Sequence, residues 1–354
     1  VSCIRGGGSG VEERIAESHR AARAAFDLPA APPCASGGAA CTRCVNHCVI
    51  ADGAGGFCGV RENVGGALRG GDSADGRVSW YYDELPTNCV ADWVCAGCTG
   101  DGYPRFSVSN GGAELGHKNL AVFYSGCSFD CLFCQNWQHR RAGGSQRAVR
   151  AEELAGAVDA ATTCVCYFGG DPGPQIEHAV GASARALEGR RGGRATAGGP
   201  LLPLRICWET NASADPTLMR RAFDLSVATG GCMKIDLKAY DETLHRALTG
   251  VTNRRTLENF AMLAELAPKE RHPPALVAST LLIPGYVDGE EVRSIARFIA
   301  GLGRSIPYAL LAFHPDFAMT DVPITSRRQA RECEEAARGE GLARVHVGNV
   351  HLLR

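Results

Sequence analysis

The sequence of 354 residues predicts an α/β protein, a partial (β/α)6 TIM-like barrel behind a cysteine-rich N-terminal extension. Two patterns predict it. From about residue 119, short runs rich in Val, Ile, Leu and aromatics alternate with helix-like stretches, as parallel strands joined by right-handed crossovers do. Upstream, residues 34–118 are rich in Gly and Cys with weak periodicity. Such a stretch has little from which to build its own core, and metal ligation is one way to stabilise it. The expected division is therefore an extension over 1–118, with an auxiliary metal or iron–sulfur site, and a barrel over 119–354.

Each barrel strand is read from an apolar run: NLAVFYSG from Asn119, CVCYFGG from Cys164, LRICWETN from Leu204, CMKIDLKAY from Cys232, ALVASTLLIPG from Ala275 and YALLAFHPD from Tyr308. Between them, Ala151–Ala161, Pro216–Ala228, Glu290–Ile299 and Arg327–Arg338 have helical spacing and helix-forming composition. Asp215 before Pro216 reads as an N-cap followed by proline in the first turn. Six such units are too few for a closed eight-fold barrel, so an open one is expected, with chemistry at the C-terminal strand ends. Val11–Phe26 reads as an amphipathic helix. Its Glu12, Glu13 and Glu17 make it too acidic for a transit peptide. Ser36–Ala40 and Gly189–Pro200 read as loops, the second carrying Arg190, Arg191 and Arg194 either as a basic patch or as solvated charge.

Composition narrows the function classes. Lys and Arg number 37 against 38 Asp and Glu, a net charge of −1, which argues against a nucleic-acid footprint over the whole surface. No apolar run approaches the ~18 residues of a membrane span. Seventeen cysteines are an odd count, too sparse for a disulfide scaffold and too many for accidental core filler. With no secretory signal in view, metal binding in a reducing compartment is expected, and the localisation expected is cytoplasmic. Eleven of the seventeen fall between residues 34 and 134. Cys3, Cys164, Cys166, Cys207, Cys232 and Cys333 are isolated, several within apolar runs, and read as small buried hydrophobes. Cys34 is grouped with these structural thiols.

The first strand runs into GCSFDCLFCQNW, which places Cys127, Cys131 and Cys134 in one loop at a strand C-terminus. Three thiolates at C-x3-C-x2-C spacing converge on one centre, and iron–sulfur cubanes are held by thiolates. Three ligands leave one of four irons open, as a vacant position separates a catalytic zinc from a structural one. A structural zinc with a distant fourth ligand is the other reading.

The CSFDCLFC motif resembles the signature of radical S-adenosylmethionine (radical SAM) enzymes, and the resemblance extends from about Asn119 to Asn349. YFGGDPGPQ resembles that family's Gly-Gly-Glu-type motif, which implies that Gly169, Gly170 and Asp171 bind the methionine amino group. WETN places Glu209, Thr210 and Asn211 toward the cofactor. KIDLK resembles the Asp-x-Lys pair of glycyl-radical-enzyme activases, which implies contacts from Asp236 and Lys238 to ribose and carboxylate. By the same resemblance Ile283 packs on adenine and His314 binds the cofactor. CQNWQ, GGDPGPQIEHA, DLKAYDETLHRALTG, FHPDFAMTDVPIT, VHVGN and the N-terminal GFCGVREN are similar to the subgroup near pyruvate formate-lyase activating enzymes, which includes the radical enzyme of the AmmeMemoRadiSam system. LPTNCVADWVCAGCTGDGYP departs from that subgroup by adding three cysteines.

The resemblance implies an enzyme that reductively cleaves S-adenosylmethionine at a 4Fe–4S cluster to a 5'-deoxyadenosyl radical, which takes hydrogen from a protein or peptide. A flavodoxin- or ferredoxin-type one-electron reductant is implied. No catalytic residue is nominated beyond the cluster and cofactor contacts. Radical modification of a small molecule or nucleoside is the alternative within enzymes. An iron–sulfur electron carrier or metal-binding scaffold is the alternative outside them.

Cys41, Cys44, Cys48 and Cys58 put four soft ligands within 18 positions, which points to an auxiliary iron–sulfur cluster or a zinc without deciding between them. His47 lies among them and reads as a ligand or as a surface histidine. Cys89, Cys95 and Cys98 supply only three ligands. A site there needs Cys34, His117, a carboxylate or water, or shares ligands with the first group.

Overall fold

Every apolar run singled out above forms a strand, and period-two alternation gives each strand one face toward helices and one toward the barrel interior. The computed structural model describes residues 2–5, 8–142, 147–192 and 202–354. In chain order, helix α1 (Val11–Ala24) precedes an edge strand β1 (Val78–Glu84). The six expected strands follow as β2 (Lys118–Tyr124), β3 (Thr162–Gly169), β4 (Arg205–Thr210), β5 (Met233–Asp236), β6 (Leu276–Leu282) and β7 (Tyr308–Ala312). β8 (Val345–Gly348) completes the set. Their helices are α2 (Ala151–Gly156), α3 (Ile176–Gly192), α4 (Pro216–Thr229), α5 (Glu242–Thr249), α6 (Arg254–Leu266), α7 (Gly289–Leu302) and α8 (Arg327–Gly339).

Among the described residues the strands form one open sheet in the order β8-β7-β6-β5-β4-β3-β2-β1. All neighbours are parallel except β1 and β2, which run antiparallel from Val78 opposite Tyr124 to Glu84 opposite Lys118. The architecture is the α/β partial barrel expected, with two strands more than six. β8 is as short as β5 but only Val345 of it is fully buried, so it lacks the apolar run that marks β5. β1 is an edge strand whose Tyr81 and Tyr82 are exposed, so its alternation is blurred. It arises within the cysteine-rich stretch, so the sheet takes a strand from upstream of residue 119.

Local chemistry explains the helix ends. Asp215 caps α4 as expected, its carboxylate accepting from Thr217 N and Leu218 N, with Pro216 in the first turn. Asp241, Asp288 and Ser326 cap α5, α7 and α8 in the same way. Two expected boundaries shift. α2 ends at Gly156 rather than Ala161, and α3 continues through Gly189–Gly192, which the sequence places in a loop. Arg190 holds that last turn, donating to the Thr162 and Asp159 carbonyls of the turn entering β3. Arg194 and the rest of that stretch to Pro200 lie outside the described residues. Ala39–Ala40, at the end of the other expected loop, pairs with Val49–Ile50.

The outer sheet face carries the main core. Val165, Tyr167, Ile206 and Trp208 pack beneath Ala179, Leu218 and Phe223, with Tyr167 and Trp208 stacked at 4.6 Å. The inner face is chemically different: Cys166 and Phe168 from β3, Arg205, Cys207 and Glu209 from β4, Lys234 from β5. The segment after β1 closes the floor of the barrel. Arg205 donates to Glu114 through both nitrogens at 2.8 and 2.6 Å, and Thr163 Oγ1 adds a bond to the same carboxylate. Arg205 and Glu114 are both buried. Burial alone opposes the charge on Glu114, but the bonds from Arg205 outweigh it and hold the carboxyl below its ordinary value. Cys333 is buried in α8 as expected, whereas Cys34 is exposed; the Cys3 side chain lies outside the described residues. No described helix is long and apolar enough to cross a membrane.

Candidate functional site

Parallel strands all deliver their C-terminal ends to one side of the sheet, and that mouth collects the polar motifs of the sequence. A cavity of about 170 Å³ is walled by Cys127, Cys131 and Cys134 from the loop after β2 on one side. Gly169, Gly170 and Asp171 after β3, Thr210 and Asn211 at the end of β4, and Asp236 and Lys238 after β5 wall the other.

The two glycines are required by close backbone approach. Gly169 has φ +116, and a Cβ there would stand 2.6 Å from Tyr124 N; a Cβ on Gly170 would overlap the Gly126 carbonyl oxygen. Asp171 is then fixed by Thr210 Oγ1 at 2.7 Å and Asn211 N at 3.3 Å. Burial pushes its carboxyl up to about 6, aided by the charge of Asp236 and opposed by those two bonds. Lys238 Nζ stands 2.7 Å from Asp236 Oδ2. Burial pulls the ammonium down, but Asp236 and the thiols of Cys131 and Cys134 outweigh it and raise it. Asn211 Nδ2 reaches Cys127 Sγ at 3.7 Å and Ser128 Oγ at 2.9 Å. Burial raises all three thiols, Cys131 to about 12, so each keeps its proton until a metal displaces it.

The loop itself is anchored from beneath. Asp130 is fully buried and accepts from Arg23 and Arg140, with His19 Nδ1 at 2.7 Å, so helix α1 is bound directly to the loop that carries the three thiols. Farther along, Trp137 donates to Asp316 and stacks on Phe317, which joins CQNW to FHPDF.

A model of the Radical SAM superfamily matches residues 121–299, from β2 into α7. The chain belongs to this superfamily. It is 26% identical to an uncharacterized protein of Methanocaldococcus jannaschii over 320 residues, 88% of this chain and 81% of that one. Over 80 residues it is 44% identical to the isethionate sulfite-lyase activating enzyme of Desulfovibrio desulfuricans, 22% of this chain and 24% of the relative. A solved domain of the pyruvate-formate lyase-activating enzyme from Bacteroides vulgatus is 21% identical with a TM-score of 0.39, covering 52% of this chain and 98% of that one.

Radical SAM membership implies a 4Fe–4S cluster and S-adenosylmethionine. The mouth offers a matching donor set: three soft thiols on one wall, and facing them a polar cradle of Asp171, Asn211, Asp236 and Lys238, with Gly169 and Gly170 packed on the backbone of Tyr124 and Gly126 behind it. Two residues carried over from the resemblance stand apart. Ile283 is buried in the main core beyond the end of β6, and Leu281, two residues earlier on the inner face, lines the cavity instead. His314 is exposed and outside the lining. Asp130, Arg140 and His139 went unread as site residues. Asp130 was legible only as the acidic residue between two cysteines. His139 lines the cavity with its Nδ1 unpartnered, and burial pushes it down to about 3.

Cys41, Cys44, Cys48 and Cys58 share the wall of a small pocket with Arg43, Arg61 and Pro174. Phe129 links this pocket to the mouth, since it packs with Cys41, Cys48 and Phe57 while sitting between Cys127 and Cys131. His47 is exposed. Cys89 and Cys95 face the barrel floor, in a cavity whose lining includes neither Cys34 nor His117. Among the described residues, no three His, Cys, Asp or Glu side chains close on a single ion position.

Proposed function

We propose that this chain is an activating-enzyme-like radical SAM enzyme that reductively cleaves S-adenosylmethionine and takes a hydrogen atom from a protein or peptide. The observation that carries the reading is the convergence at one mouth of three thiols, Asp171 and the Asp236–Lys238 pair. Similarity to an isethionate sulfite-lyase activating enzyme, over about a quarter of that protein, favours a macromolecular substrate.

In this reading Cys127, Cys131 and Cys134 hold a 4Fe–4S cluster. When bound, the cluster and S-adenosylmethionine supply the one-electron cleavage of a sulfonium C–S bond and the hydrogen abstraction that follows. The chain's own residues position and shield. Asp171, held by Thr210 and Asn211, would accept from an amino group at the cavity wall. Lys238 offers a cation to a carboxylate while Asp236 accepts from hydroxyls. Gly169 and Gly170 let the loop carrying Asp171 sit close against the backbone of Tyr124 and Gly126, and Phe133, Phe168 and Leu281 exclude water. Cys41, Cys44, Cys48 and Cys58 would hold an auxiliary metal centre beside the mouth. An external one-electron reductant of flavodoxin or ferredoxin type is required, and the thiol content suits the cytoplasm.

The test is anaerobic reconstitution of the full chain with iron and sulfide, followed by dithionite and S-adenosylmethionine. 5'-Deoxyadenosine forms with the native chain and falls below detection with Cys131→Ala. A chain that is loaded with cluster yet yields none overturns the reading.

A further inference from the structure

The floor of the barrel, below the mouth, is lined with sulfur. A cavity of about 100 Å³ is walled by Cys89, Cys95, Cys164, Cys166, Cys207 and Cys232, several times the ~10–15 Å³ that admits one water. These thiols come from four separate parts of the chain: the segment after β1, strand β3, strand β4 and the entry to β5. The parallel register seats Cys166 beside Cys207, and Cys164 Sγ lies 3.6 Å from Cys207 Sγ. Thiolates around one small metal stand about 3.8 Å apart, given metal–sulfur bonds of ~2.3 Å in a tetrahedron.

A buried cation sits in the same wall. Lys234 is 2% exposed, and its Nζ lies 3.1 Å from Cys89 Sγ, 3.1 Å from Cys166 Sγ and 3.1 Å from Glu209 Oε1. An ammonium is costly in a merely apolar filling, and two of its three partners here are sulfurs, which need a counter-charge when they are thiolates. Cys166, Cys207 and Cys232 pack with Ala91, Val94 and Val277, but a close-packed core would leave no space of this size beside them. Six sulfurs around one cavity exceed the four that a single tetrahedral ion takes, which suits a multinuclear centre better than a single ion.

We propose that the barrel floor holds an iron–sulfur cluster of its own, ligated by cysteines of the segment after β1 together with cysteines of the barrel strands. It is separate from the Cys127–Cys134 set and from the Cys41–Cys58 set, and it does not depend on the reaction proposed above. In this arrangement the addition of Cys89 and Cys95 to the chain and the placement of cysteine on three inner strand faces are one feature. Each ligating thiol releases its proton on binding, and the Lys234 ammonium, itself held by Glu209, remains to offset the cluster's negative charge.

The test uses the full chain, purified anaerobically with Cys131→Ser and Cys44→Ser both in place, so that the other two thiol sets are impaired. Iron, acid-labile sulfide and zinc are measured per chain, before and after adding Cys207→Ser or, separately, Cys89→Ser. The expected result is iron and sulfide in equal amounts in the parent, lost with either added substitution. Cys333→Ser, buried in α8 and outside the cavity lining, keeps them. Circular dichroism and the unfolding midpoint confirm that each variant is folded. A parent without iron and sulfide, zinc in place of iron, or iron untouched by both floor substitutions overturns the proposal. Formation of 5'-deoxyadenosine by the native chain is scored separately, so either conclusion can fail alone.

Discussion

The two ends of the barrel interior use cysteine in opposite ways. At the mouth, three thiols come from eight consecutive residues of one loop, and their neighbours are carboxylates, amides and an ammonium gathered from other strand ends. On the floor, six thiols come from four chain segments and only the folded sheet makes them neighbours. The mouth is held by buried polar bonds among Asp171, Thr210, Asn211 and Ser128; the floor is closed by the buried Arg205–Glu114 pair. The lesson is that a site encoded by spacing announces itself in the sequence, while one encoded by sheet register looks like scattered core cysteine until the strands are aligned.

That contrast can be broken by substitution at either end. The largest effect is expected from Gly170→Ala. Its Cβ would overlap the Gly126 carbonyl oxygen and press on the His139 ring, displacing the cradle opposite the thiols. A misplacement on the order of 1 Å costs about a hundredfold in rate, so 5'-deoxyadenosine formation falls about that far while floor metal content is unchanged. Equal loss of both would show that the two ends are one unit.

A substitution at the floor is expected to act on stability first. Glu114→Gln leaves Arg205 buried without its counter-charge, at a cost of about 3–5 kcal/mol. Because Glu114 is held below its ordinary value of 4.5, its stabilising contribution is present above that pH and is lost as pH falls through the depressed value. Urea unfolding of native and variant chains therefore shows a wide gap at pH 7 that narrows below pH 4.5. A gap independent of pH would assign the loss to packing rather than charge.

The smallest effect is expected outside both ends. Glu12 pairs with Arg246 at 2.7 Å, but both side chains are substantially exposed. Glu12→Ala should leave the unfolding midpoint and the reaction unchanged, because solvent screens such pairs. A clear loss of activity would mean that α1 tunes the mouth through Asp130, which the same helix reaches with His19 and Arg23.

Much of the fold was legible. All six barrel strands stand where apolar runs placed them, and Asp215 caps α4 as its position before Pro216 required. β1 and β8 were missed because an exposed edge strand and a strand with one fully buried residue carry little apolar signal. At the site, the motifs that follow strand ends were legible because a parallel sheet brings all such ends together. His314 and Ile283 did not follow the rule: the first is exposed past β7, and the second is turned into the core where β6 has ended. Asp130 was hidden because its role depends on His19, Arg23 and Arg140, none of them adjacent to it in the chain.

Seventeen cysteines and their spacing were enough, by themselves, to raise metal binding as the expectation and to single out Cys127, Cys131 and Cys134 as one group, since one loop fixes their mutual distances. Tertiary structure alone decided the rest. Which face of β3, β4 and β5 turns inward, and what the segment after β1 presents to that face, are set by sheet register and by the Arg205–Glu114 closure. Those are long-range contacts, and no local pattern encodes them.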